Sequence, residues 1–222
     1  MFQRDYIMRM IEQLGQALIR IMKLKEAEKF DAAQIEINRA GKMLLGFDMA
    51  LLRMLSDEEI IKLLKPVEDL DTGKCIVTAE LLLEDGNICE RQEQAETAGI
   101  SLVKSLSLFL EALLNSPQMR SPEYLGKVEE LVGRLRAFHL PGHISGKLMQ
   151  FYEVIGDFAR AEDVLFDLAD REHPGTAALG ERFFERLLQQ SDEALRAGNL
   201  PRDEVVEGYQ VFKQKLADHD SG

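Results

Sequence analysis

The residues from Leu148 to Leu168, LMQFYEVIGDFARAEDVLFDL, restrict the possible folds more than any other stretch of the chain. Leu148, Phe151, Tyr152 and Ile155 recur at helical spacing, and Phe158, Ala161, Leu165 and Leu168 do so again after a break. At the break, Gly156 can take the left-handed conformation that closes a helix. Asp157 can then accept hydrogen bonds from the free amides that open the next one. The stretch is therefore expected to be two short helices folded back on each other. Ala161 stands where a large side chain would hold them apart, so the backbones approach with Tyr152 and Phe158 around it.

Related patterns occur twice more. Phe30, Ala33, Ile37 and Ala40 repeat the three-four-three spacing, with Glu28 where the turn glycine would stand. Gly86, Cys89, Ala95, Ala98 and Leu102 repeat it again. Ala33, Ala98 and Ala161 are separated by 65 and 63 residues, which two units of roughly 34 residues nearly fill.

In order and spacing, Leu148, Tyr152, Gly156-Asp157-Phe158, Ala161, Leu165 and Leu168 resemble the tetratricopeptide repeat. Met149 and Leu168 depart from it, standing where that pattern prefers a small residue and alanine. The resemblance implies an all-α fold of stacked antiparallel helical hairpins, a tetratricopeptide-like α-solenoid of about ten helices. Residues 47–66 and 122–138 would supply the intervening hairpins. It also implies a concave side lined by the first helix of each pair, where Lys147, Gln150 and Glu153 would meet a peptide or protein partner.

The remaining elements read as follows. A first helix is expected over residues 5–27, with Ile7, Ile11, Leu14, Leu18 and Ile21 inward and Met10, Ala17 and Leu24 widening the stripe. Such a helix can face a core or a twin helix, so self-association through it is an option. Ser56-Asp57-Glu58-Glu59 reads as a capping box opening a short helix that stops at Pro66. Asp71 or Thr72 opens a longer helix through Cys75, Leu82, Gly86 and Cys89, despite the strand-like run Cys75-Ile-Val-Thr. Gly99 to Leu114 should be the most buried helix, its Ser101, Ser105 and Ser107 bonding their own backbone. Residues 115–122 read as a linker and possible hinge between two halves of a single 1–222 domain. Helices are then expected over Pro122–Phe138, over Gly175–Ala197, and from Pro201, after a Gly156-type turn at Gly198-Asn199, to a frayed end beyond Asp218.

The net charge of −12 is unevenly spread: residues 1–46 balance at +2, residues 47–115 at −8. That acidity argues against a nucleic-acid backbone as ligand and suits a partner with a basic segment. Cys75 and Cys89 lie fourteen residues apart on one helix, too far for an internal disulfide, and read as buried thiols in a reducing compartment. Charges interrupt the amino terminus and no uncharged apolar run approaches about 18 residues, so neither a signal peptide nor a membrane span is expected. A cytoplasmic location follows.

No catalytic constellation is visible. His139 and His143 have H-x3-H spacing, but Pro141-Gly142 breaks the helix between them and no third ligand accompanies them. His173 precedes Pro174 at a helix end, and His219 lies in the tail. Met43, Met49 and Met54 could fill a core or form an adaptable binding surface. The opening Met1 to Glu12 resembles that of a family of uncharacterised bacterial proteins, mainly from Firmicutes, which implies a cytoplasmic helical protein and brings no activity with it. The reading is thus a non-enzymatic scaffold or adaptor without metal or cofactor, binding a peptide or protein on a helical surface, with no nucleic acid or membrane. Its rivals are a small-molecule- or metal-responsive regulator with a pocket in the helical array, and a metal-assisted hydrolase.

Overall fold

A computed structural model describes residues 2–65 and 70–220, and the described chain is all-α, with helices packed as antiparallel hairpins. Its order is α1 (Phe2–Glu26), α2 (Phe30–Leu45), α3 (Met49–Met54), α4 (Asp57–Leu63), α5 (Thr72–Arg91), α6 (Ala95–Asn115), α7 (Pro122–Arg134), α8 (Gly142–Ile155), α9 (Phe158–Asp170), α10 (Thr176–Leu188), α11 (Asp192–Ala197) and α12 (Arg202–Asp220). The chain divides into two compact units, Met1–His139 and Leu140–Gly222. Residues 115–122 lie inside the first unit.

One turn chemistry makes the hairpins. At each junction a residue takes positive φ, and two amides turn back onto the end of the preceding helix. Between α8 and α9 that residue is Gly156, at φ 81°, with Gly156 N–H donating to Glu153 O and Asp157 N–H to Tyr152 O. Between α1 and α2 it is Glu28, at φ 56°, and between α5 and α6 it is Glu93, at φ 59°, with the same pair of bonds. Five residues after each of these turns stands Ala33, Ala98 or Ala161, and all three are buried. The close approach is most visible on α5, where a Cβ on Gly86 would come within 2.6 Å of Leu102 and 3.4 Å of the Ala98 carbonyl.

In the first unit, α5 and α6 form the centre. Ile76, Leu82, Leu106 and Phe109 are fully buried, as are Cys75 and, nearly so, Cys89, neither of them in a disulfide. Cys75-Ile-Val-Thr is helical, opened by the Asp71 carboxylate accepting from Lys74 N–H at 3.0 Å. On α1 the inward stripe is Met10, Leu14, Ala17 and Ile21, with Ile7, Ile11, Leu18 and Leu24 half-buried. The capping box at Ser56 and Glu59 is present on both sides, while Pro66 lies outside the described residues. Residues 122–138 form one helix and a 3-10 turn rather than a hairpin, because Leu135 closes the helix and Phe138 packs on Gly99.

α6 is long and apolar enough to cross a membrane, but 67% of that stretch is buried inside the fold. Its serines, expected to bond their own backbone, reach across to neighbouring helices. Ser101 donates to Asp85 Oδ2 at 2.8 Å, Ser105 to Ala79 O at 2.8 Å, and Ser107 to Asp57 Oδ2 at 2.5 Å. Each of these bonds satisfies a buried acceptor on α4 or α5 that would be costly to leave unpaired.

In the second unit, the expected helix over Gly175–Ala197 is broken into α10 and α11. Ser191 accepts from Ala194 N–H at 3.1 Å and starts a new helix, while Arg202 donates to the exposed carbonyls of Leu188 at 3.1 Å and Gln190 at 2.6 Å. Helical periodicity continues across the break, which hides it in the sequence. At the next turn Asn199, not Gly198, holds positive φ, at 59°. Gly198 serves close approach instead: a Cβ there would meet Gly156 O at 2.6 Å, and Ala159 N–H donates to Gly198 O at 3.1 Å. α12 docks through Val205 and Phe212, the latter a fully buried ring that leaves no room for a side chain at Gly180.

Candidate functional site

The first unit fixes α2 by polar bonds along its inward flank. The Asp85 carboxylate on α5 is fully buried and accepts from Gln34 of α2, Arg53 of α3 and Ser101 of α6. Glu36 of α2 pairs with Arg20 of α1. Lys104 of α6 donates to Leu52 O at 3.3 Å and Arg53 O at 2.6 Å, capping the end of α3. Burial pulls the Lys104 ammonium below its ordinary range, with the carboxylates of Asp57 and Asp85 opposing that pull. On α5, burial raises the Glu80 carboxyl while its partner Lys127 lowers it less. These groups bond one another, so they join helices rather than present a reactive atom to solvent.

With its inward flank held, α2 shows the opposite face. Ile35, Asn38, Arg39, Lys42 and Met43 fall at steps of three and four and line a shallow depression of about 710 Å³. Ile35 is 69% and Met43 56% exposed, large values for side chains of this type. On the same hairpin, Ile19 and Met22 of α1 are also exposed. Asn38 carries a buried side-chain oxygen without a hydrogen-bond partner. Of the cations of the stripe, Arg39 lies 3.6 Å from the largely buried Glu36 carboxylate, which also binds Arg20, and Lys42 lies 2.9 Å from the exposed Asp48. An exposed pair such as Lys42 with Asp48 contributes about 0–1 kcal/mol and yields readily to a ligand. A further depression, on α12, is lined by Arg202, Asp203, Val206, Glu207 and Gln210, and has one exposed apolar side chain.

The positions named from the sequence lie on α8. Gln150 is exposed, Lys147 is half-buried, and the Glu153 carboxylate accepts from Arg186 of α10 at 2.6 and 2.7 Å. Of the three methionines, Met49 is fully buried, whereas Met43 and Met54 are exposed, Met54 at 85%. His143 lies in the first turn of α8 and His139 precedes Pro141; the ring of His173 lies against Gly142. Among the described residues no group of three His, Cys, Asp or Glu side chains comes together as a metal site would require. Sequence reasoning missed the α2 stripe because it gave Ile35 no role and left Met43 between core filling and an adaptable binding surface. The signal was present: Ile35 lies off the Ala33, Ile37, Ala40 stripe.

Comparison with curated proteins and comparison with solved structures each return no match. A family model does match, over residues 1–217, and the chain accordingly belongs to DUF6483, a family of unknown function.

Proposed function

We propose that this protein is a cytoplasmic interaction module built from tetratricopeptide-like hairpins, and that the outward face of α2 docks an acidic amphipathic helix of a partner protein. The observation that carries this reading is the α2 stripe, in which exposed Ile35 and Met43 alternate with Arg39 and Lys42. An amphipathic helix laid on such a face buries its apolar side on the isoleucine and methionine. The chain's net charge of −12 suits a basic partner as a whole, but at this face Arg39 and Lys42, within residues 1–46 that balance at +2, favour an acidic one. A partner seated on α8 through Lys147, Gln150 and Glu153 would instead compete with the bonds from Arg186 to Glu153.

A photo-crosslinking residue at Ile35, installed in the full chain in its source cell, tests the assignment. The expected adduct contains an acidic amphipathic segment and is lost on combining Arg39→Glu with Lys42→Glu. Crosslinking only from Gln150, or only to a second copy of this chain as confirmed by sedimentation, would overturn it.

A further inference from the structure

In the second unit, α9 and α12 meet around a carboxyl group that has no partner. Oε1 of Glu162, on α9, is buried without a hydrogen bond. The space it occupies exists because residue 208 is glycine: a Cβ there would collide with that oxygen and touch the Phe184 ring of α10 at 3.4 Å. The neighbouring charges have the same sign, Asp163 on α9 and Glu204 on α12.

Arg182 of α10 is exposed, and the following cations on the packed helices are engaged elsewhere. Arg186 of α10 binds Glu153 of α8, Lys215 of α12 binds Asp170, and Arg160 binds Asp157. Arg202 of α12 binds Asp192, and Lys213 lies over the Tyr209 ring at 3.6 Å.

We propose that Glu162 is a proton-operated latch for the carboxy-terminal helix: as a neutral acid it lets α12 close on α9, and as a carboxylate it drives that contact open. Burial first, then Asp163 and Glu204, push its carboxyl from the ordinary 4.5 up to about 7. The closed form therefore holds the proton more tightly than the open form does. Closure is strongest below about 4.5, weakens as pH rises, and has lost the contribution of the latch above about 7. Val205 and Phe212 stay anchored on apolar contacts, so the expected motion is a loosening of α12 around Gly208, not loss of the fold.

Amide hydrogen exchange along α12 of the full chain tests the latch, with wild type compared with Glu162→Gln at each pH between 5.5 and 8. The ratio of the wild-type rate to the variant rate should be lowest at the acid end, where only part of the loss between 4.5 and about 7 has occurred. It should rise on the order of tenfold toward the alkaline end, a figure discounted for the partly exposed carboxyl. A ratio that does not change with pH overturns the proposal. Carbon-13 titration of the Glu162 carboxyl in the wild-type protein decides the case if the variant fails to fold. A midpoint near 7 supports the latch, and one in the usual glutamate range overturns it.

Discussion

Glutamate has a Cβ that crowds the backbone at positive φ, yet Glu28, Glu93 and Glu172 hold φ of 56°, 59° and 50°. The turns hold because two backbone bonds and a buried hairpin contact lie behind each of them. Asn199 occupies the equivalent place at 59° with less strain, since a short amide side chain tolerates this region. Replacing Glu28 or Glu93 by glycine should stabilise the first unit by about 0.5–1 kcal/mol each, strain relief exceeding the added freedom of the unfolded chain. Urea unfolding monitored by circular dichroism measures this, and Asn199→Gly should give a smaller gain. At this scale the sequence was only partly legible. Gly156 announced its turn, whereas Glu28 and Glu93 did not, because their conformation is imposed by the helices on either side.

Among elements, the three long hairpins share one construction, a turn residue followed five positions later by a buried alanine. Ala161→Leu should overpack the junction of α8 with α9 and cost about 1–3 kcal/mol, read from the same denaturation experiment. An unchanged midpoint would show that the contact at Ala161 is looser than its full burial indicates. Periodicity and small residues made these hairpins readable, since both follow from the geometry of two helices in contact. The break between α10 and α11 was not readable in this way. It depends on Arg202, distant in sequence, donating to the carbonyls of Leu188 and Gln190. The α2 surface was hidden for a related reason: a hydrophobic side chain on the wrong side of a stripe reads as a wider stripe until its neighbours are placed.

At the scale of the molecule, the chain divides after His139, next to the Pro141 break, and each unit has its own buried aromatic centre: Phe109 with Tyr124 in the first, Phe183, Phe184 and Phe212 in the second. A fragment of residues 1–139 should therefore be helical and melt in one cooperative transition, as circular dichroism and calorimetry would show. A fragment lacking a cooperative melt would mean that the first unit depends on the rest of the chain.

Asp85 bears on how that first unit assembles. Its carboxylate draws side chains from three separate helices to one point on a fourth. A packing that lacked α2 or α3 would leave this buried carboxylate short of donors, and that carries a free-energy cost. The carboxylate thus favours the one arrangement in which all three donors converge on it.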